Sequence, residues 1–167
     1  MTRRSLSNNT DRFFSVLIYL FAIYDTLFFS IFAIDKLPII IQKIIIIPAT
    51  PIIFIYGILG NFIGRFAPFL VFMILFLAIV QNKKIHHFLR FNTLQTIIFG
   101  ILLFLLGLIF SWLLMPIFGQ DNILIQTLFN AIFISGLGAC WYSMFRAAQG
   151  IYPQLPIISK EVYHRLY

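Results

Sequence analysis

Fifteen consecutive residues, Phe66 to Val80, carry no charge, and the twelve that follow, Gln81 to Asn92, bring in Lys83, Lys84, His86, His87 and Arg90 before hydrocarbon-like sequence resumes at Leu94. A switch this abrupt fits a tight helical hairpin with its turn in the lipid headgroup layer, where Lys and Arg find phosphate and Phe buries its ring. The composition requires a bilayer. At 61% hydrophobic and 10% charged, a chain of 167 residues is too apolar to hide its surface within one soluble domain. A membrane span takes about 20 predominantly apolar residues, so the chain has room for four spans with short connections and none for a separate soluble domain.

The first span is expected at 13–34, between Arg12 and the pair Asp35-Lys36, with Asp25 near its middle. At 1.5 Å per residue Asp25 lies roughly 18 Å into the span, where an ionised carboxylate needs a donor, water or a proton, so it should face protein or a wet cavity. The next stretch, 37–64, holds Pro38, Pro48, Pro51, Gly57, Gly60, Gly64 and Lys43. Divided into short apolar pieces, it reads as an interfacial or re-entrant segment. Further spans are expected at 66–80, at 93–115 with a stop at Pro116, and at 123–149 with Gly150 as its end, followed by a surface tail over 151–167 that places Tyr152, Tyr163 and Tyr167 in the aromatic belt. The fold class is thus an all-α membrane protein with four transmembrane helices and a Pro/Gly-broken segment between the first two. With 37–64 not crossing, nine basic residues fall on one side and Lys36, Lys43 and Arg65 on the other, which puts both termini on the cytoplasm-like side.

Small residues mark helix faces. Gly100, Gly107 and Ser111 share one face of the third span, where a neighbour can come close. On the fourth, Ala131, Ser135, Ala139, Ser143 and Ala147 recur every four residues, a row that drifts about 40° per step and suits a crossing helix.

No constellation points to catalysis. The five acids lie in five separate segments, His86 and His87 point to different helix faces with no carboxylate near them in sequence, and no serine has the G-x-S-x-G setting. No glycine motif suits a phosphate or dinucleotide, and Cys140 alone builds neither a disulfide nor a cysteine zinc site. No cofactor, metal or enzymatic activity is expected. The net charge of +7 resides at the ends of apolar runs, which makes anionic lipids, not nucleic acid, the simpler partner.

Three landmarks occur in order: Tyr19-Leu20-Phe21-Ala22-Ile23-Tyr24-Asp25; Pro68 to Val80 leading into His87-Phe88-Leu89-Arg90-Phe91-Asn92; and Gly150-Ile151-Tyr152-Pro153-Gln154-Leu155-Pro156, then Val162-Tyr163. Together they resemble the twenty-kilodalton component of the Tic translocon, the protein-import machinery of the plastid inner envelope, with relatives in cyanobacteria and red-algal plastid genomes. Two positions depart from that pattern: Ala22 stands where a proline is usual and Gly100 where an acid is usual. The resemblance implies a multi-pass subunit of a hetero-oligomeric complex with both termini in the stroma, or its counterpart in a cyanobacterial inner membrane. It implies partners among the other translocon membrane subunits and translocating preproteins. It also carries over Asp25 as a lining or coupling residue, His87, Phe88, Arg90 and Phe91 as a turn or docking motif, and Gly150, Tyr152 and Pro156 as an exit motif. Two other readings stay open, a non-conducting assembly subunit and a small-solute transporter, the latter calling for an inverted repeat or paired broken helices.

Overall fold

The computed structural model describes residues 8–155 together with 158 and 162, and they are almost entirely helical. The helices are α1 (Asn9–Leu27, extended by a 3-10 turn Phe28–Ser30), α2 (Ile39–Ile63), α3 (Ala67–Leu75), α4 (His87–Ile109), α5 (Met115–Phe118) and α6 (Ile123–Ala148). Wide π-type turns, Phe76–Val80 and Phe110–Leu114, continue α3 and join α4 to α5.

Local chemistry sets the helix ends. Asn8 accepts from the backbone N–H of Asn9 at 2.7 Å while Asp11 accepts from that of Asn8 at 3.3 Å, a reciprocal cap that starts α1. His86 Nδ1 accepts from Phe88 N–H at 3.2 Å ahead of α4, and Asn122 Oδ1 from Leu124 N–H at 2.9 Å ahead of α6. Gly150 (φ 72°) ends α6 in a left-handed turn, and the N–H of Ile151 reaches back to the Arg146 carbonyl at 3.0 Å.

Among the described residues, four helical stretches are long and apolar enough to span a membrane: Asn9–Ser30, Ile39–Ile63, His87–Phe118 and Ile123–Ala148. The number agrees with the sequence reading, but one member differs. The stretch expected to be broken by Pro and Gly is a single 25-residue helix running through Pro48 and Pro51, whereas Ala67–Val80 is the shorter apolar helix. In a setting that must satisfy its own backbone, interrupting the helix would free more donors and acceptors than the two proline gaps do. Pro116 likewise does not end its helix. It falls in the first turn of α5, where a missing N–H costs nothing, directly after the wide turn whose carbonyl at Phe110 bonds Met115 N–H.

Helix directions follow from which residues meet. Along α1, Tyr19 bonds Asn92, Asp25 lies against Gly100, and Phe28 and Phe29 meet Gly107 and Phe110, so both numbers rise together and α1 and α4 are parallel. Against α6 the order reverses: Arg12 meets Gly150, Thr26 meets Gly136 and Phe29 meets Phe129. The start of α1, the start of α4 and the end of α6 therefore share one end of the bundle, here the proximal end. Helix α1 packs along both α4 and α6 and is the central element.

Between the distal end of α1 and the proximal start of α4, helices α2 and α3 make one traverse between them. Ile45 packs in the distal cluster with Phe29 and Phe110, and Tyr56 stacks on Tyr24 at 4.3 Å further in. Beyond this α2 leaves the core: Gly57, Gly60 and Gly64 face open space and Phe62 is 84% exposed. Ala67 and Val71 of α3 rejoin the same cluster as Ala49, Ile52 and Tyr56, and Val80 ends among Phe91, Leu94 and Ile97 at the proximal end.

Candidate functional site

Two polar features lie within this apolar frame. The first is at the proximal end, where the turn motif and the exit motif meet. Ile151 leaves α6 through the Gly150 turn, and a Cβ at 150 would stand 2.7 Å from Arg12 Nε, so glycine is required both for its φ and for the passing guanidinium. Tyr152 then turns inward. Its hydroxyl lies 3.1 Å from His87 Nδ1, and its ring meets Phe88 edge-on at 5.2 Å and Phe91 at 5.0 Å. Both phenylalanines are fully buried in protein rather than in headgroups, because α4 begins at His87 and its first three turns are covered on every side. Arg90 has a different task from its neighbours: its Nε donates to the Val80 carbonyl at 2.8 Å, tying off the wide turn that ends α3. Leu155, Ile158 and Val162 are buried beside Val80, Phe91 and Leu94, so these three residues cover the junction of α3 and α4. Pro156, Tyr163 and Tyr167 lie outside the described residues.

Beneath this cradle is a buried polar layer that sequence reasoning did not foresee. Tyr19 donates to Asn92 Oδ1 at 2.9 Å, and Asn92 Nδ2 donates to the Phe88 carbonyl at 2.7 Å and to Ser15 Oγ at 3.3 Å. Ser15 and Tyr19, four apart on α1, carried the available signal, since two polar groups on one helix face need a polar neighbour. Gln95, one turn along from Asn92, is fully buried with neither amide atom bonded among the described residues.

The second feature is Asp25. A Cβ on Gly100 would lie 2.7 Å from its Oδ2, so the carboxyl rests on the bare backbone of α4 and an acid at position 100 could not coexist with it in this pose. The nearby tyrosines are engaged elsewhere: Tyr19 is committed to Asn92, Tyr24 and Tyr56 stack on one another, and among the described residues Asp25 accepts no hydrogen bond and meets no cation. It remains partly exposed.

Of the small-residue positions, Gly107 gives room to the Phe28 ring, whose Cε1 would lie 3.2 Å from a Cβ added there. The four-residue row on α6 winds as its drift requires: Ala131 and Ser135 are exposed, Ala139 is half-buried, and Ser143 and Ala147 are buried. A close approach on α6 is at Gly136, absent from that row, where a Cβ would stand 2.8 Å from Thr26 Cγ2. Thr26 itself back-bonds to the Ala22 carbonyl at 2.7 Å and fixes that contact.

Comparisons with known proteins give the family. The family model described as the Tic20-like chloroplast import apparatus matches residues 8–162. A Tic20 family protein of Synechocystis is 36% identical over 166 residues, 99% of each chain. The Tic20 family proteins Ycf60 of Porphyra purpurea and Pyropia yezoensis are each 34% identical over 96 residues, which is 54% of this chain and 45% of theirs. By the extent of the family match and the full-length similarity to the Synechocystis protein, the chain is a member of the Tic20 family, a multi-pass helical membrane protein of plastid or cyanobacterial type.

Proposed function

We propose that this protein is a membrane subunit of a protein-import translocon, in the plastid inner envelope or the corresponding cyanobacterial inner membrane, and that it borders the path taken by unfolded preproteins. Family membership supports the translocon role, and Asp25 supports the place beside the path. A carboxyl in the middle of a membrane helix, partly exposed and without a partner among the described residues, is costly unless something passing or bound there meets it. Other translocon membrane subunits complete the enclosure, because this bundle is filled by its own central helix. The proximal end faces the stroma or cytoplasm: among the described residues Arg12, Lys83, Lys84, Arg90 and Arg146 lie there, against Lys36 and Lys43 at the distal end.

The test is photocrosslinking from probes at Asp25 and along α4 in membranes holding a preprotein arrested halfway, combined with Asp25→Asn. Crosslinks to the arrested chain that vanish when it is chased, with import lost in an assembled Asp25→Asn complex, are the expected result. Crosslinks only to other subunits, with normal import by the variant, would instead make the protein a scaffold. One observation favours that second reading: Gly57, Gly60 and Gly64 leave one flank of α2 open to close approach by a partner helix.

A further inference from the structure

We propose that the groove between the first half of α2 and Trp141 of α6 is a binding site for one anionic glycerolipid of the distal leaflet, its headgroup on Lys43 beside Ile40 and an acyl chain running inward along Ile44, Ile47 and Pro48. Those five α2 residues recur at helical spacing on one face, and with Trp141 they line a shallow, open groove of about 390 Å³. The groove exists because α2 and α6 each pack on α1 and leave a gap between themselves.

Its polarity along the bundle matches that of a lipid. Lys43 lies about 6 Å from the distal start of α2 by helical rise. It is exposed, and no carboxylate among the described residues pairs with it. The opposite end of the groove is set by Trp141, which adjoins Cys140 in the inner cluster with Ala22, Ile23 and Ala49. A single cation therefore stands toward the membrane surface and an apolar slot leads inward from it, closed by an indole. An ammonium on a helix of isoleucines is unfavourable in hydrocarbon unless an anion reaches it, and an anionic headgroup lies at the right depth to do so.

The experiment is native mass spectrometry of the full chain from micelles containing equal phosphatidylglycerol and phosphatidylcholine. The wild type should retain the anionic lipid about fivefold over the zwitterionic one, the effect of one lysine on one anionic headgroup. Lys43→Met should bring the ratio to near one and Lys43→Arg should restore it, while Lys36→Met, which alters the other distal lysine, should leave it unchanged. Trp141→Ala should lower retention of both lipids. No preference in the wild type, or a preference that survives Lys43→Met, would overturn the proposal. So would a photoprobe at Ile44 that captures a protein subunit from native membranes instead of lipid.

Discussion

Gln95 shows how little a polar residue's identity says about its surroundings. Its amide is completely buried with both polar atoms unbonded among the described residues, while Asn92, three residues earlier, satisfies its amide through three contacts. Leaving such a group unpaired costs about 1–3 kcal/mol. Gln95→Met, close in volume and flexible enough to fill the same space, should therefore stabilise the protein by about 1–2 kcal/mol, read as a shifted midpoint of unfolding in mixed micelles. A loss of stability would mean that the amide has a partner in the folded protein. Residues of this kind are the least legible in the sequence. Asp25 stands out because it interrupts an apolar run, but that Gly100 would be its floor depends on helices 75 positions apart being parallel, which no local pattern encodes. Gly136 is hidden in the same way, since its close contact with Thr26 follows from a crossing point rather than from a repeat.

Among the elements, the existence of helices is readable and their ends less so. Apolar runs mark four long helices, and the caps at Asn122 and Gly150 fall where polar and glycine signals indicate. Pro48, Pro51 and Pro116 mislead because the rules for proline in water assume that a broken helix finds solvent for its backbone, and an apolar stretch this long has no such outlet. The tail has the composition of a surface strap, yet Tyr152 makes it part of the core. Two substitutions separate the contributions to that docking. Tyr152→Phe keeps the ring and loses the hydroxyl's hydrogen bond with His87, and should cost about 1 kcal/mol. Tyr152→Ala also withdraws the ring from Phe88 and Phe91 and should cost about 3–5 kcal/mol. Limited proteolysis from the proximal side measures the outcome: the tail should stay protected in the first variant and be cleaved rapidly in the second. Equal protection in both would mean that Leu155, Ile158 and Val162 hold the tail without Tyr152.

At the scale of the whole molecule, the decisive fact is that α1 and α4 are parallel. Three contacts at rising positions fix this, Tyr19 with Asn92, Asp25 with Gly100 and Phe28 with Gly107. An even number of crossings between the two helices would make them antiparallel and separate all three pairs, so α2 and α3 together must contribute one crossing. Their packing agrees, with α2 leaving the core after Tyr56 and α3 rejoining it at Ala67. Cysteines introduced singly at the exposed positions Asn9, Asn82, Asp35 and Asp121 of a Cys140→Ser background should divide into two pairs toward a membrane-impermeant maleimide. Asn9 and Asn82 should react from the side that holds the proximal end, and Asp35 and Asp121 only from the other. If Asn82 reacted together with Asp35, α2 and α3 would each cross separately, α4 would run against α1, and the support that Gly100 gives to Asp25 could not exist in the membrane. The labelling pattern therefore bears on the candidate path as well as on the topology, since a carboxyl placed elsewhere would have no claim to face whatever moves through the complex.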